Sequence, residues 1–115
     1  MIYNNVAEYI LMKPAHFRFL KSVNFTRVVS RDGCGRFDVE LVISKISGEK
    51  LENLQLRCTG VFDININDIE SVSGLQIEIE DVSRRQIEGA SFKVLEVEEG
   101  AFSFYCEEFF AELLK

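Results

Sequence analysis

Gln76-Ile77-Glu78-Ile79-Glu80 is the stretch that decides the fold class. Successive side chains of a β-strand point to opposite faces, so this alternation puts both isoleucines on one face and both glutamates on the other. One face meets a core and the other meets water, as in an antiparallel sheet covered on one side. A helix would scatter the same residues around its circumference.

Outward from this segment the same period recurs. Phe37, Val39, Leu41 and Ile43 alternate with Asp38 and Glu40; Leu54, Leu56 and Cys58 with Gln55, Arg57 and Thr59; Phe102, Phe104 and Cys106 with Ser103 and Tyr105. The segments Phe17 to Val29 and Phe92 to Val97 are apolar on both faces in places, which predicts strands near the middle of a sandwich or under a covering helix. Asp63 to Asp68 also alternates, and reads as a strand with Phe62, Ile64 and Ile66 inward.

Turn residues divide the strands. Arg31-Asp32-Gly33-Cys34-Gly35 supplies residues able to take positive φ and predicts a hairpin between strands ending near Ser30 and starting near Arg36. Ser47-Gly48-Glu49-Lys50 marks the next turn, Asn65 to Gly74 a longer connection, and Glu98-Glu99-Gly100-Ala101 a further hairpin. Asn4 to Met12 reads as a short helix with an Asn cap and Pro14 as a stop. The tail from Glu107 to Lys115 fits either a helix or a continuation of the preceding strand. The prediction is a mainly β chain: an antiparallel two-layer sandwich or partly open barrel of seven or eight strands with a short N-terminal helix.

At 115 residues and 47% hydrophobic content the chain makes one domain, 1–115, able to bury a core without disulfides or metals. Met1 to Glu8 has neither the basic start nor the apolar run of a signal peptide, so a cytoplasmic location is expected. Three Cys in such a chain read as thiols. Cys58 and Cys106 fall in step with core positions, and Cys34 falls in a turn.

Catalytic chemistry finds little support. The one histidine, His16, would have to serve any Ser–His or Cys–His site, and Cys34 is the best nucleophile available to it. Asp63-Ile64-Asn65-Ile66-Asn67-Asp68 begins like a calcium loop, but Asp68 stands where the turn needs Gly, and Gly74 where a bidentate Glu belongs. One His and three scattered Cys give no zinc spacing, and Gly33-Cys34-Gly35 lacks the further Gly of a phosphate loop. We therefore expect no enzyme, no metal and no cofactor.

Charge supplies the remaining signal. Residues 1–57 carry nine Lys/Arg against six Asp/Glu, and residues 58–115 carry four against thirteen. The net charge of −6 argues against nucleic acid and against an anionic membrane as partners. Outward acids in the second half, namely Glu78, Glu80, Asp81, Glu96, Glu98 and Glu99, form a candidate docking stripe for a basic protein. Outward glutamates also serve solubility alone.

The run Leu54 to Asp63, followed by Gln76 to Ser83, Phe92 to Glu98 and Phe102 to Cys106, resembles small β-rich immunity proteins of bacterial contact-dependent growth inhibition and related polymorphic toxin systems. The resemblance implies a cytoplasmic protein that binds and neutralises a cognate toxin domain, often a nuclease, by covering its active site. It carries over no functional residue. The alternative is a ligand-binding or self-assembling module in which Cys34 and the Phe109-Phe110 pair matter more than the acids.

Overall fold

The computed structural model describes residues 1–70 and 74–114. In chain order these form β1 (Ile2–Tyr3), α1 (Val6–Leu11), a 3-10 turn (Pro14–His16), β2 (Phe19–Ser30), β3 (Gly33–Ser47), β4 (Lys50–Ile66), β5 (Ile77–Asp81), a second 3-10 turn (Ser83–Arg85), β6 (Phe92–Glu96), β7 (Phe102–Cys106) and β8 (Glu108–Leu114). The short helix and the main strands fall where the patterning predicts and the tail is a strand, while β1 is an addition and β3 starts at Gly33, so that Cys34 lies in a strand and not in the turn. The Ser71–Ser73 part of the expected connection, and Lys115, lie outside the described residues.

β4 organises the sheet. One of its edges pairs with β3, while the other pairs with β8 over Asn53–Thr59 and with β7 over Phe62–Ile66, all antiparallel. β7 and β8 are one run bent at Glu107, whose N–H donates to the Thr59 carbonyl at 3.0 Å. Gly60 sits opposite that bend with φ +63°, and a Cβ there would lie 2.8 Å from the Glu107 side chain. The two strands therefore bend together, and the sheet curls instead of splitting into two layers. β2, β3, β4, β8 and β1 make its N-terminal part, and β4, β7, β6 and β5 the remainder. Of the two architectures expected, this is the partly open barrel.

The inner face carries the core. Leu41, Ile43, Leu54, Leu56, Ile77, Val94, Phe104 and Phe109 are all at most 1% exposed, and each such side chain contributes roughly 1.5–3 kcal/mol. Tyr9 from α1 joins this core: its ring meets Phe109 edge-on at 6.0 Å and its hydroxyl donates to the Ile77 carbonyl at 2.8 Å. Burial pushes that hydroxyl's pKa far up. α1 starts where the Asn5 side chain accepts from the Glu8 N–H at 2.9 Å, and it ends at Leu11 with Met12 as its C-cap, before Lys13 turns left-handed at φ 56° ahead of Pro14.

Two expectations are corrected. The Phe17–Val29 segment is not central: among the described residues β2 pairs only with β3, and Phe19, Val28 and Val29 are exposed, because the β2–β3 hairpin runs on past the covered part of the sheet. Only Phe17, just ahead of the strand, is fully buried there. The alternation through β4 also shifts, with Gly60 and the left-handed Asp63 (φ 54°) interrupting it. As a result Phe62 pairs with Tyr105 on the outer face and Ile66 is exposed.

Cys58 and Cys106 are buried and Cys34 is exposed. A hydrogen bond to Cys106, together with burial, pushes the Cys58 thiol well above its ordinary value. In the native protein a thiol reagent should therefore modify one cysteine, Cys34, at the rate of a free thiol, with the other two reacting only in denaturant. Two or three fast thiols would contradict the packing.

Candidate partner-binding surface

The fold gives the acids of the stripe different surroundings. Glu78 is exposed on the outer face of β5, where its carboxylate accepts a 3.4 Å hydrogen bond from the Gln76 amide. Glu80 is half-buried and lies 3.5 Å from Arg85. Asp81 accepts from both the hydroxyl and the backbone N–H of Ser83, at 2.6 and 3.0 Å, and these bonds lower its pKa. Glu98 and Glu99 are exposed on the β6–β7 turn, with Glu98 4.0 Å from Arg18.

Glu96 is the correction. It is 2% exposed and points inward in step with Val94, so it presents nothing to a partner. One carboxylate oxygen accepts from the N–H groups of Gln76 (3.2 Å) and Glu98 (2.7 Å), and the other from Glu99 (2.9 Å) and Ala101 (3.1 Å). Desolvation raises its pKa, but the four donors outweigh it and hold the carboxyl below the usual glutamate value.

Cations share this face of the sheet. Arg36 stacks on Phe62 at 4.0 Å, Phe62 on Tyr105 at 5.7 Å, and Lys93 lies 5.4 Å from the Tyr105 ring centre. Lys93 is also the cross-strand neighbour of Glu80.

A second surface lies on the outer face of the N-terminal part of the sheet. Strand register lines up Asn24, Glu40, Arg57 and Phe110 across β2, β3, β4 and β8. Beside this row run Thr26 and Asp38, with Thr59 and Glu108 across β4 and β8; on the other side run Ser22, Val42, Gln55 and Glu112. The face forms a groove of about 750 Å³ walled at one end by Ile2 and Asn4. Arg57 stands opposite Glu40 but lies over the Phe110 ring, 5.7 Å from its centre. Among the described residues, Asp38, Glu40, Arg57, Glu108 and Glu112 make no ion pair within 4.0 Å. Summing charge by halves of the sequence hid this surface, because Asp38 and Glu40 belong to the basic half.

The fold does not bring His16 and Cys34 together. They are separated by β2, whose ten steps from Phe19 to Val29 span about 33 Å. His16 instead lines a pocket of about 530 Å³ with Tyr9, Ile10, Pro14 and Glu78. Among the described residues no three His, Cys, Asp or Glu side chains are grouped to hold a metal, and no helix is long and apolar enough to cross a membrane.

Comparison with known proteins decides between an immunity protein and a ligand-binding module. Residues 1–112 match the family described as Immunity protein PIM8. The chain belongs to that family. No curated protein and no solved structure matches it. Membership makes this PIM8-family chain a β-rich immunity protein, with toxin neutralisation as its function and a cognate toxin as its partner. It points to a non-catalytic inhibitor. For such an inhibitor what matters is which surfaces are free to bind, and the Glu78 edge and the Glu40–Phe110 groove are the two candidates.

Proposed function

We propose that this protein, acting in the cytoplasm of a bacterium with a contact-dependent or related polymorphic toxin system, binds a basic toxin domain and blocks its active site. The observation that carries this reading is an immunity-family chain whose exposed acids exceed the cations paired with them. Glu78, Glu80, Asp81, Glu98 and Glu99 are exposed or half-buried along β5 and the β6–β7 turn, where they can meet lysines and arginines. A nuclease is the toxin class such a surface suits, since its phosphate-binding cations would be the groups covered.

The test is the reading frame next to this one. A large secreted protein with a variable, basic C-terminal domain is expected there, and that domain, co-expressed with this protein, should co-purify and lose its activity. Failure of the two to associate would remove the reading. Given a complex, raising salt should slow association, and Glu78→Gln with Glu98→Gln and Glu99→Gln should slow it several-fold at low salt. Rates unchanged in this variant at every salt concentration would take the stripe out of the interface.

A further inference from the structure

We infer that the groove on the outer face of β3, β4 and β8 is a docking surface for an extended, arginine- or lysine-bearing segment of the toxin domain. The inference rests on the toxin-binding reading for its partner, and on the groove's own chemistry for what it holds.

This face of the sheet is uncovered. Tyr9 of α1 packs against Phe109 on the inner face, while Asp38, Glu40, Arg57 and Phe110 project from the other. At about 750 Å³ the groove has the size of surfaces that take up a ligand or a short peptide segment. Asn4, Asn24, Thr26 and Thr59 line it with neutral hydrogen-bonding groups.

Charge selects the occupant. Asp38, Glu40, Glu108 and Glu112 stand on this face with Arg57 as the cation among them, and none of the four is paired with it. Within the stripe Glu80 has Arg85, Glu98 has Arg18 and Asp81 is tied to Ser83, which leaves Glu78 and Glu99 as its acids without an ion pair among the described residues. An incoming guanidinium would find in the groove a carboxylate without an ion pair beside a half-exposed aromatic ring, as Arg57 over Phe110 already illustrates.

The experiment uses a twelve-residue peptide of alternating arginine and threonine, titrated into the labelled protein while backbone amide shifts are followed by NMR. Shifts are expected at Asn24, Thr26, Asp38, Glu40, Thr59 and Phe110, and Asp38→Asn with Glu40→Gln should weaken binding about tenfold. The triple variant Glu78→Gln, Glu98→Gln, Glu99→Gln should bind within twofold of the parent. Shifts centred on Glu78–Asp81, no binding, or full affinity in D38N/E40Q would each overturn the proposal. Both variants should fold like the parent: Asp38, Glu40 and Glu99 make no ion pair within 4.0 Å among the described residues, and the triple variant gives up only the 3.4 Å Gln76–Glu78 bond and the exposed 4.0 Å Arg18–Glu98 pair. Capture of the neighbouring toxin domain separates the two readings: peptide bound in the groove without toxin capture removes the toxin, and toxin capture undiminished in D38N/E40Q removes the groove.

Discussion

Glu96→Ala is expected to destabilise the protein by about 3–5 kcal/mol, lowering the midpoint of thermal unfolding by roughly 15 °C. The side chain is almost wholly buried and its carboxylate accepts four backbone N–H groups, from Gln76, Glu98, Glu99 and Ala101. Removing it leaves those donors to find other partners in a turn whose shape the carboxylate sets, and charge-assisted hydrogen bonds are worth about 1.5–3 kcal/mol each. The loss would reach β5 as well as the β6–β7 turn, because Gln76 both donates to Glu96 and accepts from the Val97 N–H at 3.0 Å. Glu96→Gln should cost less than Glu96→Ala, since its amide oxygen can still accept while its NH₂ group faces donors.

The effect carries a pH signature. The folded carboxyl titrates below the ordinary glutamate value of about 4.3, so its contribution is fully present above that value and is lost as pH falls through the depressed one. The stability difference between the parent and Glu96→Gln should therefore be constant near neutrality and shrink on acidification below about pH 4. Chemical denaturation from pH 7 to pH 3 measures it. A difference that stays constant, or grows, over that range would show that the charge on Glu96 is not what holds the turn.

Glu96 also shows where sequence reading works and where it stops. Period-two patterning placed the strands through Leu41, Leu56, Ile77 and Phe104, because each buried side chain has a polar neighbour to mark the opposite face. Along Phe92-Lys93-Val94-Leu95-Glu96-Val97 both faces carry apolar residues, and the eye assigns Glu96 to water because it is charged. Its parity with Val94 was the available signal, and the local turn supplies the N–H groups that make burial of a carboxylate tolerable. Phe62 escaped for a different reason: Asp63 in a left-handed conformation breaks the alternation, and an Asp at that position does not announce it. The groove was hidden because Asp38 and Glu40 meet Glu108 and Glu112 only after β8 pairs with β4, and a tail that fits helix or strand equally leaves that pairing open.

The adjacent pair Phe109-Phe110 should divide stability from binding. Phe109 is fully buried, pairs with Cys58 across β4, and meets the rings of Tyr9 at 6.0 Å and Phe92 at 4.8 Å, both edge-on. It is the point where helix, bent strand pair and β6 come together, so Phe109→Ala opens a cavity that no one element can close and should cost about 3–5 kcal/mol. Tyr9→Phe, which removes only the bond to the Ile77 carbonyl, should cost about 1–2 kcal/mol. One residue on, the strand's alternation turns Phe110 to the other face, where it is half-exposed under Arg57. Phe110→Ala should change stability by less than about 1 kcal/mol while weakening capture of the arginine–threonine peptide. Equal destabilisation by the two alanine variants in urea would mean that both rings serve the core, and the aromatic wall of the groove would then have no part of its own in docking.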